Sequence, residues 1–199
     1  GVIAGDGIGP EIVAAAVKVM RAAGVDFDEV PFDVGADRYI RDGYVLDDRD
    51  LERMKECDAI LKGPLGPPIG DTTVPPGTIE RGIILRLRFA FEQYINLRPF
   101  NGNNLDFVVV RENTEGSYAG EGGFLRKGTP HEIATQGSVN TRMGVERCVR
   151  YAFELAQSRP RRHLTLVHKT NVLTFAGDLW QRTFNEVASE YPDVATAYN

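Results

Sequence analysis

The spacing of apolar residues changes along the chain, and each change marks an element. Residues 2–4 are a short apolar run that predicts a buried strand, and the glycine-rich turn Gly5-Asp6-Gly7-Ile8-Gly9 follows. Ile12, Ala16, Val19, Met20 and Ala23 then recur at helical spacing. Pro10 suits the first helical position, where its missing N–H costs nothing, and Gly24 is a suitable stop. Residues 51–55 predict a second helix, Ala59-Ile60-Leu61 a strand, and Gly63-Pro64-Leu65-Gly66 a turn. The four prolines between residues 67 and 77 enforce a loop. Residues 83–94 predict a helix, and Phe107-Val108-Val109-Val110 a β-branched strand. Residues 120–138 are rich in Gly and Thr without a helical period, which suits an extended hairpin arm. Val145, Cys148, Val149, Ala152 and Ala156 define another helix. Leu164-Thr165-Leu166-Val167 is a strand, and Ala176, Trp180, Phe184 and Val187 mark the last helix. Strands alternating with helices predict an α/β fold with a largely parallel sheet.

Composition narrows the function classes. The chain has 199 residues, enough to bury a real core as one large domain or two small ones. Apolar residues make up 42% and charged residues 26%, and the net charge is -5. The only basic run, Arg159-Pro160-Arg161-Arg162, reads as a solvated turn, which argues against a nucleic-acid partner. No apolar stretch reaches membrane-spanning length. Two cysteines, Cys57 and Cys148, do not suffice for a disulfide framework or a cysteine zinc site, so reduced thiols in a cytoplasmic protein are expected.

The candidate chemistry sits at element ends. Lys169 and Asn171 follow the strand 164–167, and ligands of open α/β sheets bind at the carboxyl ends of strands. Arg88 falls on a helix, sharing a face with Ile84 and Leu85; Arg98 precedes Pro99; Arg111 ends the strand 107–110. Three arginines at such places are able to clamp a dicarboxylate through forked hydrogen bonds. On spacing alone, surface pairing with the 28 acidic residues explains them better, and Tyr118 is more often a packed aromatic than a proton donor. In Gly5-Asp6-Gly7-Ile8-Gly9 the third glycine comes too early for a dinucleotide loop, so a tight packing turn is the favoured reading.

Four motifs taken together change that balance. Residues 5–11 (GDGIGPE), 87–99 (LRFAFEQYINLRP), 109–118 (VVRENTEGSY) and 166–173 (LVHKTNVL) occur in this order. In them the chain resembles the isocitrate/isopropylmalate dehydrogenase family of metal-dependent β-decarboxylating dehydrogenases over essentially its whole length. The isopropylmalate branch looks nearest, on the ERG at 80–82 and the run 164–180.

The resemblance implies an α/β fold with a second α/β dimerisation domain. Residues 1–98 would be the first part of the large nucleotide-binding domain. Residues 99–199 would be the substrate and dimerisation domain, with a β arm near 120–138. It implies oxidative decarboxylation of 3-isopropylmalate with reduction of NAD, aided by Mg2+ or Mn2+. Arg88, Arg98 and Arg111 match the family's substrate arginines, and Ile84 and Leu85 the apolar pair that receives the isopropyl group. Tyr118 and Lys169 match its catalytic tyrosine and lysine, and Asn171 the asparagine near the nicotinamide. A homodimer sharing Lys169 across its interface is implied as well. The family's chains are longer, so the metal-binding aspartates are expected beyond residue 199, and the stretch from Pro99 to Asp106 is shorter than usual. Lys62-Gly63-Pro64-Leu65 and Asn113 look more like isocitrate or tartrate relatives. This keeps tartrate, malate, isocitrate and homoisocitrate open as substrates. A non-catalytic fragment or paralogue that binds a dicarboxylate also stays open.

Overall fold

A computed structural model describes residues 1–199. The chain divides into two compact units, Gly1–Phe91 and Glu92–Asn199. The division precedes residue 98 because Arg98 lies inside a hairpin that belongs wholly to the second unit.

The first unit begins with β1 (Val2–Ile3), α1 (Gly9–Ala22), β2 (Pro31–Phe32), α2 (Ala36–Asp42) and α3 (Asp48–Lys55). β3 (Leu61–Lys62), a π-helical turn (Glu80–Leu85) and α4 (Arg86–Ala90) complete it. Its sheet is parallel in the order β2-β1-β3, with Val2 opposite both Pro31 and Leu61. Ile3, Phe32, Met54, Ile79, Ile83 and Leu87 fill the core. α3 starts where the Asp47 carboxylate accepts the Asp50 N–H at 2.7 Å, a side-chain cap for an otherwise orphaned donor. The helix expected over 83–94 instead starts with the wide π turn and stops at Ala90. Glu92 takes a left-handed φ of 47°, and Ile95 is drawn into strand pairing with Glu112.

The second unit holds β4 (Ile95–Gly102), β5 (Leu105–Glu112), β6 (Gly122–Leu125), β7 (Ile133–Gln136) and α5 (Arg142–Ser158). β8 (His163–Leu166), α6 (Thr174–Ala188) and β9 (Ala195–Tyr198) follow. β4 and β5 form an antiparallel hairpin closed by Asn103 and Asn104, both with positive φ (45° and 67°). That is the backbone a two-residue hairpin turn needs, and asparagine tolerates it. The short Pro99–Asp106 passage is thus a tight reversal. β6 and β7 pair as a second hairpin, and β8 runs parallel to β9. Val145, Val149, Phe153, Leu166, Phe184 and Val187 form this unit's core. Thr141 caps α5 by accepting the Gly144 N–H at 3.0 Å. The basic run 159–162 is the turn between α5 and β8, where Arg159 pairs with Asp106 and Arg162 with Asp193.

Candidate active site

The glycine turn of the first unit is a closed packing device. A Cβ on Gly5 would lie 2.0 Å from the Pro64 carbonyl oxygen, and one on Gly9 would lie 2.2 Å from that of Ala4. Asp6 is buried, and its carboxylate accepts the N–H groups of Ala36 (2.8 Å), Asp37 (3.1 Å) and Gly66 (2.8 Å). The Asp6 N–H goes to Pro64 and the Gly9 N–H to Asp6. A buried anion beside these donors is the opposite of what a phosphate cradle presents, so the turn does not fit the pyrophosphate of NAD. Lys62 follows on β3 and donates to the Gly63 carbonyl at 2.9 Å, and burial pushes its ammonium pKa below the usual lysine value.

Arg88, Ile84 and Leu85 lie on the π turn and α4. Ile83 and Leu87 take the core side, while Ile84, Leu85 and Arg88 are half-buried. The wide turn breaks the regular helical spacing just before Arg88. Such insertions inside helices are rare and concentrate at functional sites.

In the second unit, strand register places Asn96 opposite Arg111 and Arg98 opposite Val109. Side chains alternate along a strand, so Asn96, Arg98 and Arg111 share one face of the hairpin, the two arginines as diagonal neighbours. Asn96 accepts the Arg98 Nε–H at 2.7 Å, which fixes that guanidinium. Arg111 lies over the Tyr118 ring, 4.8 Å from its centroid. The loop between them is held by acids. Glu112 accepts the N–H groups of Thr114 and Glu115. Glu115 accepts the Thr141 N–H at 2.8 Å and its hydroxyl at 2.5 Å. Asn113 is buried and donates to the Gln93 carbonyl. Residue type alone gives Asn96, Glu112 and Glu115 no special weight; their signal in the sequence is positional, two residues before Arg98 and within four residues after Arg111.

Lys169 and Asn171 line an open cavity of about 700 Å³ formed by residues 167–171 with Tyr198 and Asn199. The main chain turns here, and the Lys169 carbonyl accepts the N–H groups of Val172 and Leu173. His168 stacks on Trp180 with centroids 6.1 Å apart. Its Nδ1 is buried without a hydrogen-bond partner, and burial pushes the imidazole pKa below its ordinary value. Asn171, the cofactor candidate, lines the same cavity as Lys169.

The chain's acids do not form a divalent-metal site. No three His, Cys, Asp or Glu residues converge as ligands would. Asp178 pairs with Arg182 at 3.3 Å, and Asp193 with Arg162 at 2.9 Å. The structure thus brings together Arg98, Arg111 and Tyr118 on one hairpin and loop, and Lys169 with Asn171 at one strand end. Ile84, Leu85 and Arg88 share the π turn and α4.

Comparison with known proteins bears on the chain as a whole. The model of the isocitrate/isopropylmalate dehydrogenase family matches residues 1–198. A 3-isopropylmalate dehydrogenase from Corynebacterium efficiens is 56% identical over 209 aligned positions, covering 100% of this chain and 60% of that protein. One from Thermobifida fusca is 53% identical, covering 99% and 59%. The crystal structure of isocitrate dehydrogenase from Methylococcus capsulatus superposes with a TM-score of 0.85 at 38% identity, over 100% of this chain and 59% of the other. A β-decarboxylating dehydrogenase from Thermococcus kodakarensis, in its apo form, gives 0.74 at 35%, over 100% and 56%. The chain spans about 60% of the length of the curated relatives it matches.

Proposed function

The chain belongs to the isocitrate/isopropylmalate dehydrogenase family, and on that premise we propose that it carries the acid–base and substrate-binding residues of an NAD-dependent oxidative decarboxylase of 3-isopropylmalate. The observation that carries this reading is the β4–β5 hairpin, which holds Arg98 and Arg111 on one face with Tyr118 against Arg111. Two fixed guanidinium groups on one face suit the two carboxylates of a malate core, each able to take a bidentate pair. Arg88 is proposed as the third. Ile84 and Leu85, half-buried beside it in sequence, would receive the branched alkyl group. Fifty-six per cent identity to a 3-isopropylmalate dehydrogenase supports that substrate over tartrate, malate, isocitrate and homoisocitrate.

In the proposed reaction Lys169 takes the proton of the substrate hydroxyl, and the hydrogen on that carbon leaves as hydride. The resulting 2-keto acid loses its β-carboxylate as carbon dioxide. Tyr118 then delivers a proton to the enolate carbon, giving 4-methyl-2-oxopentanoate. NAD is the proposed hydride acceptor, with Asn171 near its nicotinamide. A Mg2+ or Mn2+ requirement is proposed with it, its ligands lying outside the residues described. We further propose a homodimer in which Lys169 serves the partner's site, and a cytoplasmic protein. No helix is long and apolar enough to cross a membrane.

The test is a panel of 2-hydroxy acids with NAD and Mn2+ on protein of the family's full length carrying these residues, following reduced cofactor. 3-Isopropylmalate is expected to give the highest kcat/KM. A higher value for isocitrate, tartrate or malate would overturn the substrate. Dicarboxylate binding without turnover of any substrate would favour the non-catalytic reading.

A further inference from the structure

The Lys169 ammonium carries no hydrogen bond or ion pair of its own, so what the fold fixes is the main chain from which the side chain springs. One side chain grips that main chain on both sides. The Tyr198 hydroxyl, at the end of β9, donates to the His168 carbonyl at 2.6 Å. It accepts the Thr170 N–H at 3.0 Å and stands 2.7 Å from the Thr170 hydroxyl. A phenol has one proton to give and two lone pairs to receive. Giving the proton to His168 and accepting both Thr170 groups therefore saturates it.

The strand pairing delivers Tyr198 to this place. Leu166 sits opposite Tyr198 in the parallel pair of β8 and β9, and the ladder continues as Asn199 N–H to Leu166 and His168 N–H to Asn199. On the other side, a Cβ on Gly177 of α6 would lie 2.5 Å from the Thr170 Cα. Thr170 is thus held between the Tyr198 hydroxyl and the first turn of α6, with Lys169 at the crest of the turn. We infer that Tyr198 is a positioning residue for Lys169, clasping the residues before and after it so that the lysine side chain enters the open cavity from a fixed point of the main chain. This inference rests on the reading of Lys169 as the base.

Tyr198→Phe removes only the hydroxyl, from a residue 46% exposed. In protein of the family's full length it is expected to lower kcat about tenfold with the KM for 3-isopropylmalate within about twofold. The decisive readout is the same substitution made in Lys169→Met. A group that acts through Lys169 has nothing further to lose there, so the double variant is expected to match Lys169→Met alone. A wild-type kcat for Tyr198→Phe, or an equal further drop in the Lys169→Met background, would overturn the inference. A normal kcat for Lys169→Met would instead remove Lys169 from the chemistry and take the inference with it. Should the phenylalanine variant fail to fold, Thr170→Val removes one of the three bonds and keeps the ring. It is then expected to lower kcat about two- to threefold at constant KM, and no change would count against the clasp.

Discussion

Removing the Asp6 carboxylate is expected to destabilise the first unit by about 3 kcal/mol, because three backbone donors converge on it. Oδ2 accepts from Ala36 and Gly66, and Oδ1 from Asp37. A buried donor left without an acceptor costs about 1–3 kcal/mol. Ala36 is 1% exposed, so its N–H bears the full penalty, while Gly66 is half-buried and Asp37 exposed, and water takes over part or all of their share. A small domain has only about 5–15 kcal/mol to lose. Asp6→Asn keeps one oxygen on Ala36 and Gly66 but turns an amide NH2 toward the Asp37 N–H, so its cost is smaller, about 1 kcal/mol. Gly35 supplies a check on the geometry. Its added Cβ would lie 2.5 Å from Oδ1 and 2.8 Å from Oδ2 of Asp6, so Gly35→Ala destabilises the parent but meets no carboxylate in Asp6→Ala. Urea denaturation followed by far-ultraviolet circular dichroism, on all four members of the cycle, reads both the cost and the coupling. A loss under about 1 kcal/mol for Asp6→Ala, or simple addition of the two substitutions, would refute the reasoning.

Three further outcomes are expected. Leu85→Ser should raise the KM for 3-isopropylmalate about tenfold and spare malate, since each buried methylene contributes about 0.8 kcal/mol; parallel losses on both substrates would place the alkyl group elsewhere. Tyr118→Phe should slow turnover about 100-fold as a lost proton donor, whereas a change confined to KM would leave its hydroxyl with orientation alone. For His168, burial lowers the folded-state pKa, so between that value and the unfolded value of about 6.5 the unfolded chain binds the extra proton. The stability from keeping this ring neutral is therefore present above about pH 6.5 and lost as the pH falls below it. Urea midpoints at pH 7.5 and 5.5 should converge more closely in His168→Gln than in the parent, and equal separations would remove His168 from the acid sensitivity.

Long periodic segments were legible in the sequence, and short pairings were not. α5 and α6 follow from Val145, Cys148, Val149, Phe184 and Val187 recurring at helical spacing, and all five are buried. β4 was hidden, because Pro99 demotes a strand in sequence and the alternation of Asn96 and Arg98 with Leu97 is too short to count. An isolated hairpin tolerates that proline, since the ladder lies on one side only. β2 and β9 have no run of apolar residues to mark them, and their pairing is decided by distant partners. The site divided the same way. The four motifs point to Arg98, Arg111 and Lys169, but only the folded contacts reveal that Asn96, on the same strand, steadies Arg98 and that Tyr198, across the β8–β9 pair, brackets Lys169.

The acids held most firmly in this chain already accept backbone or arginine donors, and this bears on what kind of site it offers. Asp6 accepts three N–H groups, Glu112 and Glu115 hold the loop after β5, and Asp50 accepts from Arg38 at 2.8 Å and Arg53 at 3.1 Å. These contacts raise the Arg38 pKa further above its ordinary value, although burial works against them. A divalent ion needs carboxylates that are both held in place and unoccupied. Here the held ones are occupied by backbone or arginine, and Asp178 and Asp193 sit in exposed ion pairs. The groups proposed to act on the second unit are cationic or neutral: Arg98, Arg111, Lys169, Asn171 and Tyr118. A cationic site suits a dicarboxylate, and it sets the order of demands on the chemistry. Under the proposed function, substrate charge would be met by these cations, and a metal joining the substrate would draw its carboxylates from residues other than these acids.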